Sequence, residues 1–415
     1  MNHKRILGNA SGGLMIVAAI FMLASGAWAQ SKYKVLHRFT HHDGYGPYSA
    51  LIVDAAGNLY GTTPNGGTSN WGVVFKLSPN SDGSWTESVL YSFTGGDDGS
   101  YPDHPSLVFD TAGNLYGATY GGGGLGGCNS FGQGCGTVFE LKSNLDGSWT
   151  ESVLHSFTNA NDGGWPEGTP IVDAAGNLYG TTTQGGTYGQ GTVFELTPNS
   201  DGTWTESVLY SFTGGSDGGT PWSGVIFDKI GNLYGVTGYG GAHRYGVIFK
   251  LTPNSEGSWT ESVLHPFTGG KDGANPGTNC LNFDTAGNLY GTTPNGGAHR
   301  YGVIFKLTPN SDGSWTESVL HPFTGGKDGA APGAGVVFDQ AGNLYSTTVY
   351  GGTNGYGVVL KLTPSSGGRW TEGVLHAFKG TLAAYPYAGP VLDGAGNLYG
   401  ATRGANNGTV YEITP

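Results

Sequence analysis

The motif Asp-x-x-Gly-Asn-Leu-Tyr is written seven times in this chain, at Asp54, Asp110, Asp173, Asp228, Asp284, Asp339 and Asp393. Successive copies lie 56, 63, 55, 56, 55 and 54 residues apart. A fixed period of this length specifies a propeller, solenoid or array, because one unit alone cannot bury its apolar face. Each unit reads as four short strands rich in β-branched and aromatic residues. Residues 106–110 exemplify strand A, 114–119 strand B, 72–77 strand C and 85–93 strand D. Asp-x-x-Gly-Asn is a tight hairpin between A and B, and 79–84 is a second turn, between C and D. Four antiparallel strands per unit make a propeller blade.

The chain ends decide between ring and solenoid. Residues 33–39 match a strand D, and 408–413 match a strand C. Trp-Thr-Glu, which opens strand D, accordingly appears six times, at Trp85, Trp149, Trp204, Trp259, Trp315 and Trp370. The offset is useful only if the N-terminal strand completes the last blade, which leaves no sheet end exposed. The predicted fold is all-β: a seven-bladed β-propeller of four-stranded blades. The N-terminal strand D closes it against the C-terminal strands A–C. A single propeller domain is expected over residues 30–415.

Residues 1–29 read as a signal peptide. Lys4 and Arg5 precede an apolar run from 14 to 23, and Ala27-Trp28-Ala29 offers a cleavage site. That run is short for a membrane span. The expected location is secreted or periplasmic, with no membrane insertion once the segment is removed; its retention as an anchor is the other reading. Without Lys4 and Arg5, sixteen basic residues stand against thirty acidic ones, a formal charge of −14. Such a surface repels phosphate backbones and anionic lipid, so nucleic acid is not an expected partner.

The elements Gly-Asn-Leu-Tyr-Gly-Thr-Thr (57–63), Gly-Val-Val-Phe-Lys-Leu (72–77) and Trp-Thr-Glu-Ser-Val-Leu-Tyr-Ser-Phe (85–93) carry a family likeness. The chain resembles the GloVer (Gloeo/Verruco) tandem-repeat family of exported bacterial proteins over essentially all of 33–415. Members of that family carry varied C-terminal anchors, and none is expected here. The resemblance implies export and repetition. It implies no catalytic residues.

Strand order puts the D→A and B→C loops on one face, the top, and the A→B and C→D hairpins on the other. The bottom hairpins are nearly uniform, whereas the top loops vary, so a site is expected above. The recurring Phe-Thr-Gly-Gly-x-Asp-Gly loop supplies Asp98, Asp162, Asp217, Asp272 and Asp328, with Asp43 in a shortened copy. Six near-equal copies suit turn caps; a Ca²⁺-binding carboxylate ring is the alternative, and no other cofactor is expected. His37, His155, His265, His321 and His376 share one strand D position with Tyr91 and Tyr210, which points to packing within the sheet. Cys128 and Cys135 flank a long B→C loop and are expected to form a disulfide; Cys280 reads as a buried apolar residue. No metal site is expected from two Cys without nearby His. No nucleophile elbow, phosphate loop or dinucleotide fingerprint occurs in a credible context.

The position after each D→A proline varies around the ring. The seven blades present Tyr48, Asp103, Glu167, Trp222, Gly277, Gly333 and Tyr387, which should ring the top mouth of the channel, the two Gly leaving one side open. His104 adjoins Asp103. The expected ligand-binding set is Tyr48, Asp103, His104, Glu167, Trp222 and Tyr387, serving a glycan or protein partner of a non-enzymatic binding or scaffold propeller. The alternative is a hydrolase or lyase acting on a polysaccharide through Asp103 and Glu167. Top-loop aromatics, among them Trp71, Tyr120, Tyr239, Tyr350 and Tyr356, add stacking surface or pack between blades.

Overall fold

The structure, a computed structural model, describes residues 31–103, 106–124, 128, 134–277, 281–381, 383–404 and 407–415. Residues 1–30, His104 and Cys280 lie outside the described residues. No helix occurs among them; the strands form seven antiparallel sheets.

Blade 1 sets the pattern: Ile52–Val53, Leu59–Thr63, Val73–Pro79 and Trp85–Ser92, hydrogen-bonded in that order. Blades 2 to 6 follow, and blade 6 carries one extra short strand, Ala330–Pro332, against Leu344–Tyr350. Blade 7 is composite. Lys32–Arg38 pairs antiparallel with Thr409–Thr414, in register from Lys32↔Thr414 to Arg38↔Thr409. The ring therefore closes as its ends demand.

Strand A is shorter than its sequence suggests: residues 106–110 read as one strand, and only Val108–Phe109 pairs. In several blades the upper part of strand A is bonded sideways instead. Ser106 N donates to Thr169 Oγ1 of the next blade at 2.8 Å, and Thr181 Oγ1 donates to Ser223 O at 2.9 Å. Leu51, Leu107, Ile171, Val225, Leu281, Val336 and Pro390, one from each blade, line a central cavity of about 400 Å³. None of its described lining residues is charged.

Neighbouring blades are joined by aromatic pairs. At five joints the Phe that ends strand D packs edge-on against the strand C Phe of the following blade, as in Phe93–Phe139 at 5.2 Å and Phe212–Phe249 at 5.0 Å. Phe39 makes the same contact with Phe75 at 5.0 Å and carries the pattern through the closure. On the bottom face, the Trp that opens strand D leans on the motif Tyr of the preceding blade, as in Tyr234–Trp315 at 6.2 Å. That Tyr donates to its own motif Asp: Tyr234 Oη lies 3.1 Å from Asp228 Oδ2. The motif Gly turns the hairpin with φ near +80°, as at Gly57 (+81°), which Gly adopts without strain. The hallmark residues of the repeat are thus hairpin and inter-blade chemistry.

Candidate functional site

The top face is built on D→A turns of one common design. Asp98 Oδ2 accepts from Thr94 N at 2.7 Å and from Tyr91 Oη at 3.0 Å, while Oδ1 accepts from Thr94 Oγ1 at 2.7 Å. The other loop Asp residues do the same, with His in place of Tyr in four blades: His37–Asp43 at 3.0 Å, His321–Asp328 at 3.2 Å, His265–Asp272 at 3.3 Å and a looser His155–Asp162 at 3.5 Å. The carboxylates are capped into their own turns, and the strand D His and Tyr are their partners.

Each of these Asp residues also faces the Trp-Thr-Glu carboxyl of the next blade. Glu87, Glu151, Glu206, Glu261 and Glu317 are pushed up to about 7, by burial first and then by Asp43, Asp98, Asp162, Asp217 and Asp272 in turn; Glu372 moves the same way through burial and Asp328. The five His are pushed down by burial, His376 to about 4 with Lys379 adding to the effect. The closing joint is different. Its loop has no Asp, Tyr33 stands where the other blades have Glu, and the Tyr33 ring stacks on His376 at 3.9 Å and 9°.

The signs of these shifts set an expected result. The Glu carboxyls favour folding when neutral, so their contribution is full below about 4.5 and is lost as pH rises through about 7. The imidazoles also favour folding when neutral, so theirs is full above about 6.5 and is lost as pH falls towards their lowered values. The two slopes oppose each other. Replacing His155, His265 and His321 by Tyr, as blades 1 and 3 already have, removes most of the compensation. The urea midpoint of that variant should fall between pH 5 and pH 7 more steeply than that of the unmodified chain. Equal slopes would mean that the three imidazoles supply no opposing slope.

The mouth itself is held by strained backbone. The residue before each D→A proline has positive φ in every sector: Tyr101 (+56°), Trp165 (+56°), Thr220 (+54°), Asn275 (+53°), Ala331 (+52°), Tyr385 (+59°) and Gly46 (+67°). Six of the seven are not Gly, a conformation that costs on the order of 1 kcal/mol or more each. A backbone bond to the preceding blade holds each one, as in Tyr101 N→Trp71 O at 3.0 Å, Trp165 N→Cys135 O at 2.7 Å and Gly46 N→Asn407 O at 2.7 Å.

Two rings of side chains crown this scaffold. The first comprises Tyr48, Asp103, Glu167, Trp222, Gly277, Gly333 and Tyr387. The second follows strand B: Pro64, Tyr120, Thr183, Gly238, Pro294, Val349 and Arg403. Tyr120 lies within electrostatic reach of both Asp103 and Glu167, and burial together with these two raises its hydroxyl pKa. Gly238 makes room for Trp222: a Cβ there would come within 2.6 Å of the indole, which also meets Tyr239 edge-on at 5.0 Å. On the far side, Tyr48 and Tyr387 meet at 4.7 Å, Tyr387 Oη lies 3.4 Å from Tyr350 Oη, and the Arg403 guanidinium lies 4.1 Å from the Tyr48 ring centre. Gly333 does not open the rim as its lack of a side chain suggests, because the Tyr387 carbonyl oxygen fills the space 2.5 Å from where a Cβ would stand.

The expected mouth residues thus fall into three groups: Asp103 and Glu167 around Tyr120, Trp222 with Tyr239, and Tyr48 with Tyr387. None of these lines the channel cavity below. Other concavities lie on the bottom face between blades, such as the groove of about 630 Å³ lined by Asp228, Tyr234, Asp284 and Trp315. A similar groove of about 730 Å³ holds Asp54, Tyr60, Asp110 and Trp149, so these grooves are copies of the inter-blade joint. Trp71, Tyr245, Tyr301 and Tyr356 lie flat over the loop glycines Gly95, Gly269, Gly325 and Gly380 and are packing groups first. Cys128 and Cys135 form the expected disulfide, with Cα atoms 5.2 Å apart. Arg403 was not singled out from the sequence; the available signal is that it is the one cation among the seven residues that follow strand B.

Comparison with known proteins agrees with the repeat. Residues 8–148, 125–284 and 257–415 each match the Gloeobacter/Verrucomicrobia repeat. No curated protein matches the chain. Among solved structures, it is similar to a putative oxidoreductase (glucose dehydrogenase) from Thermus thermophilus, with 14% identity and a TM-score of 0.44 over 92% of this chain and 100% of that one. It is also similar to a protein of unknown function from Dyadobacter fermentans, with 13% identity and a TM-score of 0.45 over 93% and 100%.

Proposed function

The chain belongs to the Gloeobacter/Verrucomicrobia repeat family, and from that premise we propose that it is an exported, non-enzymatic binding propeller that holds a glycan at its top mouth. The observation that carries this reading is the contrast between scaffold and crown. Seven equivalent turns, six of them strained, hold the mouth, yet the side chains they present are unequal and include aromatic faces. Sugar rings stack on such faces, and a rigid platform spares the cost of ordering them on binding. Export is supported by the basic, apolar and Ala-x-Ala pattern of the first 29 residues and by a disulfide, which an oxidising compartment preserves.

The test is a glycan array probed with the purified protein, followed by calorimetry on any hit. Trp222→Ala should weaken binding on the order of tenfold or more while leaving thermal unfolding within a few degrees. Asn80→Ala, in a bottom turn, should leave binding unchanged. Hits that respond to Asn80→Ala and not to Trp222→Ala would overturn the top-mouth assignment. A second reading rests on Tyr120, which both acidic residues of the mouth approach. A hydrolase or lyase would lose turnover on Asp103→Asn or Glu167→Gln while still retaining the glycan.

A further inference from the structure

We infer that the blade 7–blade 1 sector of the mouth, centred on Arg403, is a subsite for the carboxylate of a uronic-acid sugar. The inference rests on the glycan-binding reading above and names the class of sugar. It starts from a cation in an unusual setting. Arg403 follows strand B of blade 7, where the other blades have Pro64, Tyr120, Thr183, Gly238, Pro294 and Val349. Its guanidinium lies 4.1 Å from the Tyr48 ring centre and 5.8 Å from that of Tyr387, both rings on the same side of it. Among the described residues it has neither a carboxylate partner nor a side-chain hydrogen bond. In a chain with thirty acidic residues and eighteen basic ones, this leaves a guanidinium whose N–H fork is unspent.

The pre-proline residue carries a side chain in six sectors, and in the seventh it is Gly46. Gly46 lies beside the arginine stem: a Cβ on it would stand 3.5 Å from Arg403 Cγ, at ordinary contact distance. The two rings are fixed in turn: Tyr387 by the Tyr350 hydroxyl, and Tyr48 by the tilted contact with Tyr387. Partial burial pulls the Arg403 pKa down, as expected for a cation that has lost water without gaining an anion.

The chemistry that fits is narrow. A planar guanidinium binds a carboxylate in bidentate fashion, through two parallel N–H···O bonds. One such fork suits a single carboxylate better than a phosphate, whose binding usually recruits several cations and which the net charge of −12 repels more strongly. The neighbouring Tyr faces supply a stacking surface for the pyranose that bears the carboxylate. Asp103 and Glu167, two and three blades away around the rim from the Arg403 sector, would repel a second carboxylate and orient an acidic sugar with its anion towards Arg403.

The experiment is calorimetry with tetragalacturonic acid, its methyl ester and cellotetraose against the unmodified protein, Arg403→Gln and Arg403→Lys, with thermal unfolding as the control for folding. We expect the acid to bind at least tenfold more tightly than the ester. Arg403→Gln should remove that preference, and Arg403→Lys should restore only part of it, because an ammonium carries the charge without the fork. Affinity for the acid should fall as salt rises. Equal affinity for acid and ester overturns the inference, and so does an acid preference that survives Arg403→Gln. If cellotetraose or other neutral array glycans bind through Trp222 while the acid does not, this subsite is wrong and the glycan reading stands. If no glycan binds at all, both fall together.

Discussion

A chain lacking residues 31–39 should fail to fold as a stable monomer. The lost segment supplies the whole fourth strand of blade 7, paired with Thr409–Thr414. It also supplies Phe39, which is 2% exposed and packs on Phe75 of blade 1, and Tyr33, which packs on Phe378 and Tyr411. Burial of Tyr33, Leu36 and Phe39 alone contributes roughly 5–8 kcal/mol, which is comparable with the whole stability of an ordinary domain. Both neighbours of the joint lose their partner surface, and the C-terminal strand becomes an exposed edge prone to pairing with other chains. Near-UV circular dichroism and size-exclusion chromatography should report lost tertiary packing and association. Adding a peptide of residues 31–39 should restore the native signal by filling the empty strand position. A truncated chain that stays monomeric and unfolds with the original cooperativity would show that the closure contributes little.

Gly180→Ala should destabilise the propeller by about 2–3 kcal/mol, and Phe194→Leu in the same chain should recover much of the loss. Gly180 in strand B faces Phe194 in strand C directly, and a Cβ there would come within 2.5 Å of the ring. The same Gly-over-ring contact occurs at Gly117 with Phe139 and at Gly235 with Phe249. Blade 6 carries the alternative solution: Ser346 is buried opposite Leu360, and the smaller side chain leaves room for its Cβ and hydroxyl. The pair therefore acts as one volume, and its two members should be strongly non-additive. Urea unfolding of both single variants and the double variant measures the coupling. Additive single effects would mean that Phe194 moves aside at little cost and that the lock is loose.

The site was only partly legible in advance. Tyr48, Asp103, Glu167, Trp222 and Tyr387 are identifiable because the repeat aligns them at one position, and a position that varies on an invariant scaffold stands out. What they touch is not identifiable, since each contact runs to another blade or to a loop some 15 residues away. The grouping of Asp103 with Glu167 around Tyr120, and of Tyr48 with Tyr387 under Arg403, depends on which neighbour the ring brings round. Gly333 shows the same limit: its composition suggests a gap, and the Tyr387 carbonyl of the next blade fills it. Five of the six strained pre-proline residues carry no sequence mark, because Tyr, Trp, Thr and Ala do not advertise positive φ; Asn275 is the exception.

The repeat by itself determined the blade, the number of blades and the way the ring closes. Each rests on local chemistry, namely alternation, turn residues and a strand missing from one end and present at the other. The disulfide is also local, its two Cys being seven residues apart. Tertiary structure alone decided the short pairing of strand A, the alignment of His or Tyr with Asp and Glu across six joints and its replacement by Tyr33 on His376, and the stacking of the Arg403 guanidinium over Tyr48 at the mouth. Those features are contacts between blades. Their energies depend on distance and burial across a ring, which a one-dimensional period of about 55 residues does not encode.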